Sequence, residues 1–342
     1  MVDGETERQS TPGDQPDEPA GRRDVRELAA VPAVGPLHRR AVIGLVPLPG
    51  RARRPDALPE EELVVRGVTV DHEHLAHYNR VCGFRLANTL PATYPHIMAF
   101  PLSLQLMTAR RFPFPLVGLV HLANRITVHR PIAVDEPLDL AVHAANLRPH
   151  ERGRQIDLVA VATVDGEVVW QGVSTYLRRE GSAGGGRGRG SGDRRGDGAS
   201  GKDAKGHARP APPPASARWR VGRDVGTAYA RVSGDHNPIH TSRLGARLLG
   251  FRTPIAHGMW SKARCLAALE GRLPEAYVVD VSFKRPLPLP STVAFSATPV
   301  VDVAAGSGRP DKAPTDGRAA PGWRFALHSA SSGRPHLIGE IR

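Results

Sequence analysis

The chain is poor in several things that would narrow its chemistry. Among 342 residues there are two cysteines, and aromatic residues make up 5%. Cys82 and Cys265 form neither a paired framework nor a metal-ligand spacing. This excludes a disulfide-stapled scaffold and a cysteine zinc site, and it fits a reducing, cytoplasmic setting. So few aromatics leave little to stack on bases, which argues against a nucleic-acid partner. No apolar run approaches the roughly 18–20 residues of a membrane-spanning helix. The polar, acidic stretch from Met1 to Pro19 carries no apolar segment of a secretory leader. No Walker or Rossmann glycine loop is present, so no nucleotide cofactor is expected.

Positive charge, glycine and proline are abundant instead. The formal net charge is +12, with 36 Gly and 32 Pro unevenly spread. Arg187, Arg189, Arg194 and Arg195 sit among glycines in one low-complexity stretch. Such a charge keeps a protein soluble and steers anionic substrates or carriers toward it. Low-complexity segments cannot bury enough apolar surface to offset their ordering entropy. They divide the chain into a disordered tail (1–37), a globular region (38–179), a mobile Gly/Arg/Pro linker (180–217) and a second globular region (218–342). A shorter insert of the same kind, 304–321, interrupts the last.

The two globular regions read as divergent copies. Tyr78–Gly83 parallels Tyr229–Gly234, His96-Ile97-Met98 parallels His257-Gly258-Met259, and Arg125–Pro131 parallels Asp280–Pro286. The three matches keep their order at similar offsets, which points to duplication. In the second copy the pattern predicts a short strand at Trp219–Val221 and a helix over Val225–Val232 with Asp224 as its N-cap. A small helix near Arg243–Leu249 and a longer one from Gly258 follow. Val-rich, alternating segments at Ala276–Lys284, Thr292–Val301, Arg324–Ser329 and Leu337–Ile341 predict strands. The first copy repeats them at Leu119–His129, Leu138–Asn146, Ile156–Val164 and Val168–Tyr176. A long helix followed by antiparallel strands gives an α+β fold, a sheet wrapped around a buried helix.

The chemistry concentrates in Ser233-Gly234-Asp235-His236-Asn237-Pro238-Ile239-His240, followed seventeen positions beyond His240 by His257-Gly258-Met259. A carboxylate and an imidazole five residues apart on a Pro-stiffened loop are an acid/base pair. Asp-x-Asn-Pro is also an ordinary turn, because Asp and Asn bond their own backbone and Pro fixes φ. Gly258, at the first turn of an apolar helix, adds a free backbone N–H that favours negative charge. Asn237 reads as a loop-orienting residue, and Ser233 and Gly234 as the close of the preceding helix. His257 reads as a structural neighbour of the site and His236 as solvent-facing. Asp235, His240 and His257 are zinc-type ligands, but their spacing matches no zinc signature. Ser233 lacks a nucleophile-elbow context. Neither a metal nor a Ser-His-Asp triad is therefore expected.

Taken together, Tyr229, Ser233, Gly234, Asp235, Asn237, Pro238, Ile239, His240, His257, Gly258 and Met259 resemble the MaoC-like, or (R)-specific enoyl hydratase 2, branch of the hotdog superfamily. The layout is similar to double-hotdog (3R)-hydroxyacyl-thioester dehydratases of actinobacterial type. The resemblance implies two hotdog domains and reversible hydration of trans-2-enoyl thioesters carried on coenzyme A or an acyl carrier protein. It implies catalysis by Asp235 and His240 without a cofactor, with the Gly258 N–H as oxyanion donor. The first copy, which reads Phe84-Arg85-Leu86-Ala87-Asn88-Thr89 after Gly83, has lost the acid/base pair. One site per chain is expected, in a monomeric pseudo-dimer or a homodimer. A hotdog thioesterase and a non-catalytic acyl-thioester binding subunit are the alternatives.

Overall fold

The computed structural model describes residues 23–43, 54–179, 212–300 and 322–342. The first half runs β1 (Asp24–Glu27), α1 (Val34–Ile43), β2 (Glu61–Val68), α2 (His72–Cys82) and α3 (Tyr94–Thr108). It continues with β3 (Leu119–Val128), β4 (Leu138–His150), β5 (Gly153–Val164) and β6 (Glu167–Arg179). The second half runs β7 (Ala217–Val221), α4 (Val225–Ser233), α5 (Pro238–Thr241), α6 (Arg243–Leu248) and α7 (Gly258–Ala267). It ends with β8 (Tyr277–Phe283), β9 (Ser291–Val300), β10 (Gly322–Ser329) and β11 (Pro335–Ile341).

The strands make one eleven-stranded sheet in the order β1-β2-β4-β5-β6-β3-β8-β11-β10-β9-β7. Leaving β1 aside, the order is a palindrome about the β3–β8 junction. The register there has the symmetry of a two-fold interface. Arg125 pairs with Asp280, its counterpart in the other copy, while Asn124 faces Val281 and Ile126 faces Val279. An isologous contact has this property, since each element meets its own equivalent. The Arg125 guanidinium forks onto the Asp280 carboxylate at 2.7 and 3.1 Å. Each half-sheet wraps a central helix, α3 or α7, giving the double-hotdog arrangement. α3 is apolar around most of its circumference, with Tyr94, Ile97, Phe100, Leu102, Leu104 and Leu106 all buried. Such a helix must sit inside a fold.

A lysine lies in the seam. Lys262 of α7 is fully buried. Its Nζ donates to the Asn124 backbone O (3.1 Å), the Asn124 Oδ1 (2.6 Å) and the Val279 O (3.2 Å). Burial presses its pKa well below the ordinary value, yet three acceptors match the three N–H bonds of the ammonium. The residue rivets α7 to β3 and β8 together.

Three expectations are corrected. The tail expected over 1–37 is ordered from Arg23 onward. β1 pairs in parallel with β2, and Leu37 of α1 buries itself against Phe100 and Leu104 of α3. The Pro-rich end of the expected linker also docks. The Ser216 N–H donates to the Phe295 O at 2.7 Å, and the Pro213 O accepts from the Ser296 Oγ at 3.2 Å. Asp224 stands at the N-terminus of α4 without a side-chain cap bond; only its carbonyl is used, by the Ala228 N–H and the Thr227 hydroxyl. The rest of the linker, and the 304–321 insert between β9 and β10, lie outside the described residues.

Candidate active site

The loop between α4 and α6 is shaped by its own sequence. α4 ends because Gly234 takes a left-handed φ of 72°, a conformation a side chain would strain. The Ser233 hydroxyl then accepts the Asp235 N–H (3.2 Å), and Asp235 Oδ1 accepts the Asn237 N–H (3.2 Å). Asn237 Oδ1 accepts the Ile239 N–H at 3.3 Å and so caps α5, whose first residue is Pro238. These short-range bonds lift Asp235 and His240 to the same side of the loop.

Tertiary contacts fix the imidazoles. His240 is buried, and its Nδ1–H donates to the Ile255 carbonyl at 2.7 Å. A carbonyl only accepts, so Nδ1 carries the proton and a neutral ring presents its Nε2 lone pair. The His257 Nε2–H donates to the Asp235 backbone carbonyl at 3.0 Å, with the Asp235 carboxylate 3.8 Å away. The two rings stack with centroids 3.7 Å apart and 27° between planes. Tyr229 of α4 lies against His257 at 4.9 Å. The Tyr229 hydroxyl and His257 Nδ1 are buried with no hydrogen-bond partner among the described residues. Asp235 keeps 31% of its side chain accessible although protein surrounds it, so the carboxylate faces a recess.

The electrostatics hold the pair ready. Burial pushes the Asp235 carboxyl upward, but His257, His240 and the Asn237 N–H together bring it below the ordinary carboxylate value. Burial lowers the pKa of His240, against the pull of Asp235. Burial and His240 push His257 down to about 3. At neutral pH the recess therefore holds a carboxylate beside two neutral imidazoles. One ligand atom each from Asp235, His240 and His257 falls within 4.8 Å of the others. Each ring gives one nitrogen to a carbonyl, His240 Nδ1 to Ile255 and His257 Nε2 to Asp235, and the nitrogen left on His257 is buried.

Gly258 opens α7 directly after His257, and no side chain caps that terminus. A Cβ at Gly258 would meet the Phe283 ring at 2.9 Å, so only a bare backbone fits against that ring. A further contact comes from far upstream. The His38 Nε2–H of α1 donates to the Gly234 carbonyl at 2.7 Å, and its ring meets His236 edge-on at 5.6 Å. His236 is exposed but thus partnered. Nothing in the local pattern around His38 signals a role. The other half also sends in His121 of β3, stacked on Tyr176 and leaning on Phe283.

The corresponding loop in the first half, Phe84–Thr89, carries neither a carboxylate nor an imidazole. Gly83 repeats the left-handed turn with φ 82°. The chain then runs on into a bridge between Thr89 and Ala133, and Trp170 fills the space beneath, its Nε1–H on the Ala92 carbonyl at 2.7 Å. A cavity of about 250 Å³ remains there, with no imidazole in its wall.

Residues 211–313 match the family model described as MaoC like domain. The chain is 35% identical over 309 residues to 3-hydroxyacyl-thioester dehydratase X of Mycobacterium tuberculosis, covering 89% of this chain and 95% of that protein. The crystal structure of HtdX from M. tuberculosis superposes with a TM-score of 0.64 at 34% identity, over 82% of this chain and 99% of that one. A MaoC-like dehydratase from Phytophthora capsici, at 18% identity, shares the fold with a TM-score of 0.58 over 82% and 94%.

Proposed function

This chain belongs to the MaoC-like dehydratase family, and from that premise we propose that it is a hydro-lyase. It adds water across trans-2-enoyl thioesters and removes it from (3R)-3-hydroxyacyl thioesters, with one active site, in the second half. The observation that carries this is the convergence of the Asp235 carboxylate and the His240 imidazole beside the uncapped N-terminus of α7.

In the hydration direction a water sits between Asp235 and His240. One of the pair takes a proton as the water oxygen bonds C3. One proton returns to C2, so that OH and H are added and neither residue is changed at the end. The tautomer set by the Ile255 carbonyl leaves His240 Nε2 as a ready acceptor. Meanwhile the thioester oxygen gains charge and is stabilised by the Gly258 N–H and the positive end of α7. Asn237 and Ser233 keep the loop in register through the bonds they make to its backbone, and His257 supports Asp235 from behind. Besides water, the acyl thioester is the only substrate the mechanism requires, and no metal or cofactor enters it.

Replacing Asp235 by Asn, or His240 by Gln, preserves shape and removes the proton transfer. Each variant is expected to lose at least about a hundred-fold in kcat for hydration of but-2-enoyl-CoA. The reaction is followed by loss of the enoyl-thioester ultraviolet absorbance. Wild-type rates in both variants would refute the assignment.

A further inference from the structure

Helix α6 is inside out. A surface helix normally turns its leucines to the core and its small or charged residues to water. Here the inward residues are Gly245, packed on Pro238 of the catalytic loop, and Ala246, fully buried. The outward residues are Leu244, 69% exposed, and Leu248, 78% exposed, with Leu249 following at 39%. Arg243 and Arg247 lie beside the leucines at the same four-residue spacing. Both are exposed, and neither makes an ion pair among the described residues. Arg247, Phe251 and Arg252 continue the surface into a shallow recess.

The placement of this face matters. Ser242 both closes α5 and caps α6, its hydroxyl accepting the Gly245 N–H at 3.1 Å. The patch therefore begins three residues from His240. We infer that this face docks an acidic carrier protein, which delivers the acyl thioester to Asp235 and His240 on its phosphopantetheine arm. The inference rests on the hydratase reading above. Two features favour a protein over free coenzyme A. The phosphates of coenzyme A need cations but gain nothing from two exposed leucines. An acidic protein surface with apolar side chains matches both, burying the leucines and pairing the arginines. The net charge of +12 steers such a partner from a distance.

The test compares the full-length wild type with two double variants, Leu244→Ala/Leu248→Ala and Arg243→Glu/Arg247→Glu. The substrates are but-2-enoyl thioesters of coenzyme A and of a purified bacterial acyl carrier protein. Each variant is expected to raise KM for the carrier-linked substrate by roughly five-fold or more, with kcat kept and KM for the coenzyme A substrate within about two-fold of wild type. Unchanged KM on the carrier substrate, or an equal rise on both, overturns the proposal. A fall in KM on both substrates would mean that the acidic stretch at the chain's own N-terminus occupies the patch, and this too overturns it. Wild-type turnover separates the two readings. Activity on coenzyme A alone removes the docking partner and leaves the hydratase, whereas activity on neither removes the hydratase itself.

Discussion

One hydrogen bond sets the tautomer of His240. With Nδ1–H committed to the Ile255 carbonyl, the basic nitrogen is Nε2. Burial keeps the pKa of the ring below the ordinary histidine value of 6.5, so the base form survives into mild acid. We therefore expect kcat/KM for enoyl-CoA hydration to stay level as pH falls through 6.5 and to drop only below it. An acid limb centred at or above 6.5 would contradict the placement of this ring. His257 lies beside it, its Nε2–H on the Asp235 carbonyl, and Tyr229 packs on the His257 ring.

At the scale of elements, the loop is held from both sides. α4 and α6 frame it in sequence, while α1 reaches it from about 200 residues upstream. Val34 and Leu37 seat α1 on α3 and against Gly234, and His38 grips the Gly234 carbonyl immediately before Asp235. Losing one such bond costs little stability, roughly 1 kcal/mol. A small displacement of a catalytic group costs rate more steeply. His38→Ala is thus expected to lower kcat about ten-fold with KM and thermal midpoint nearly unchanged. His38→Gln, which keeps a donor, should recover most of it. Equal kcat in all three proteins would show that α1 is only packing. The loop's own bonds were legible in the sequence, because Asp, Asn, Ser and Pro act on backbone within a few residues. The grip of α1 was not. It is a short helix with Gly35 and Pro36 in its first turn, and only α3 and the folded loop give Val34 and Leu37 something to bury against.

The whole molecule is a pseudo-dimer with its charge chemistry inside. Burial pushes His96 down to about 4, and His121 and His257 down to about 3. In the unfolded chain each takes up a proton near 6.5, whereas the folded protein resists until pH 3 to 4. The stability associated with these groups is present above pH 6.5 and is lost as pH falls below it. Three such sites amount to on the order of several kcal/mol. The urea midpoint should fall markedly between pH 7.5 and pH 5, and a midpoint flat over that range would exclude these burials.

The sequence by itself determined what is local or periodic. The alternation of apolar residues set the strands, the doubled Tyr…Gly turn set the duplication, and the Asp235–His240 spacing set the candidate chemistry. Each follows from interactions within a few residues or from a side-chain period. Only the tertiary structure decided which nitrogen of His240 is basic, that Arg125 meets its own counterpart Asp280 across the seam, and that Lys262 finds three acceptors. It also decided that an expected tail clasps the loop. All of these depend on partners brought together by burial, and no short stretch of sequence encodes the face on which such partners meet.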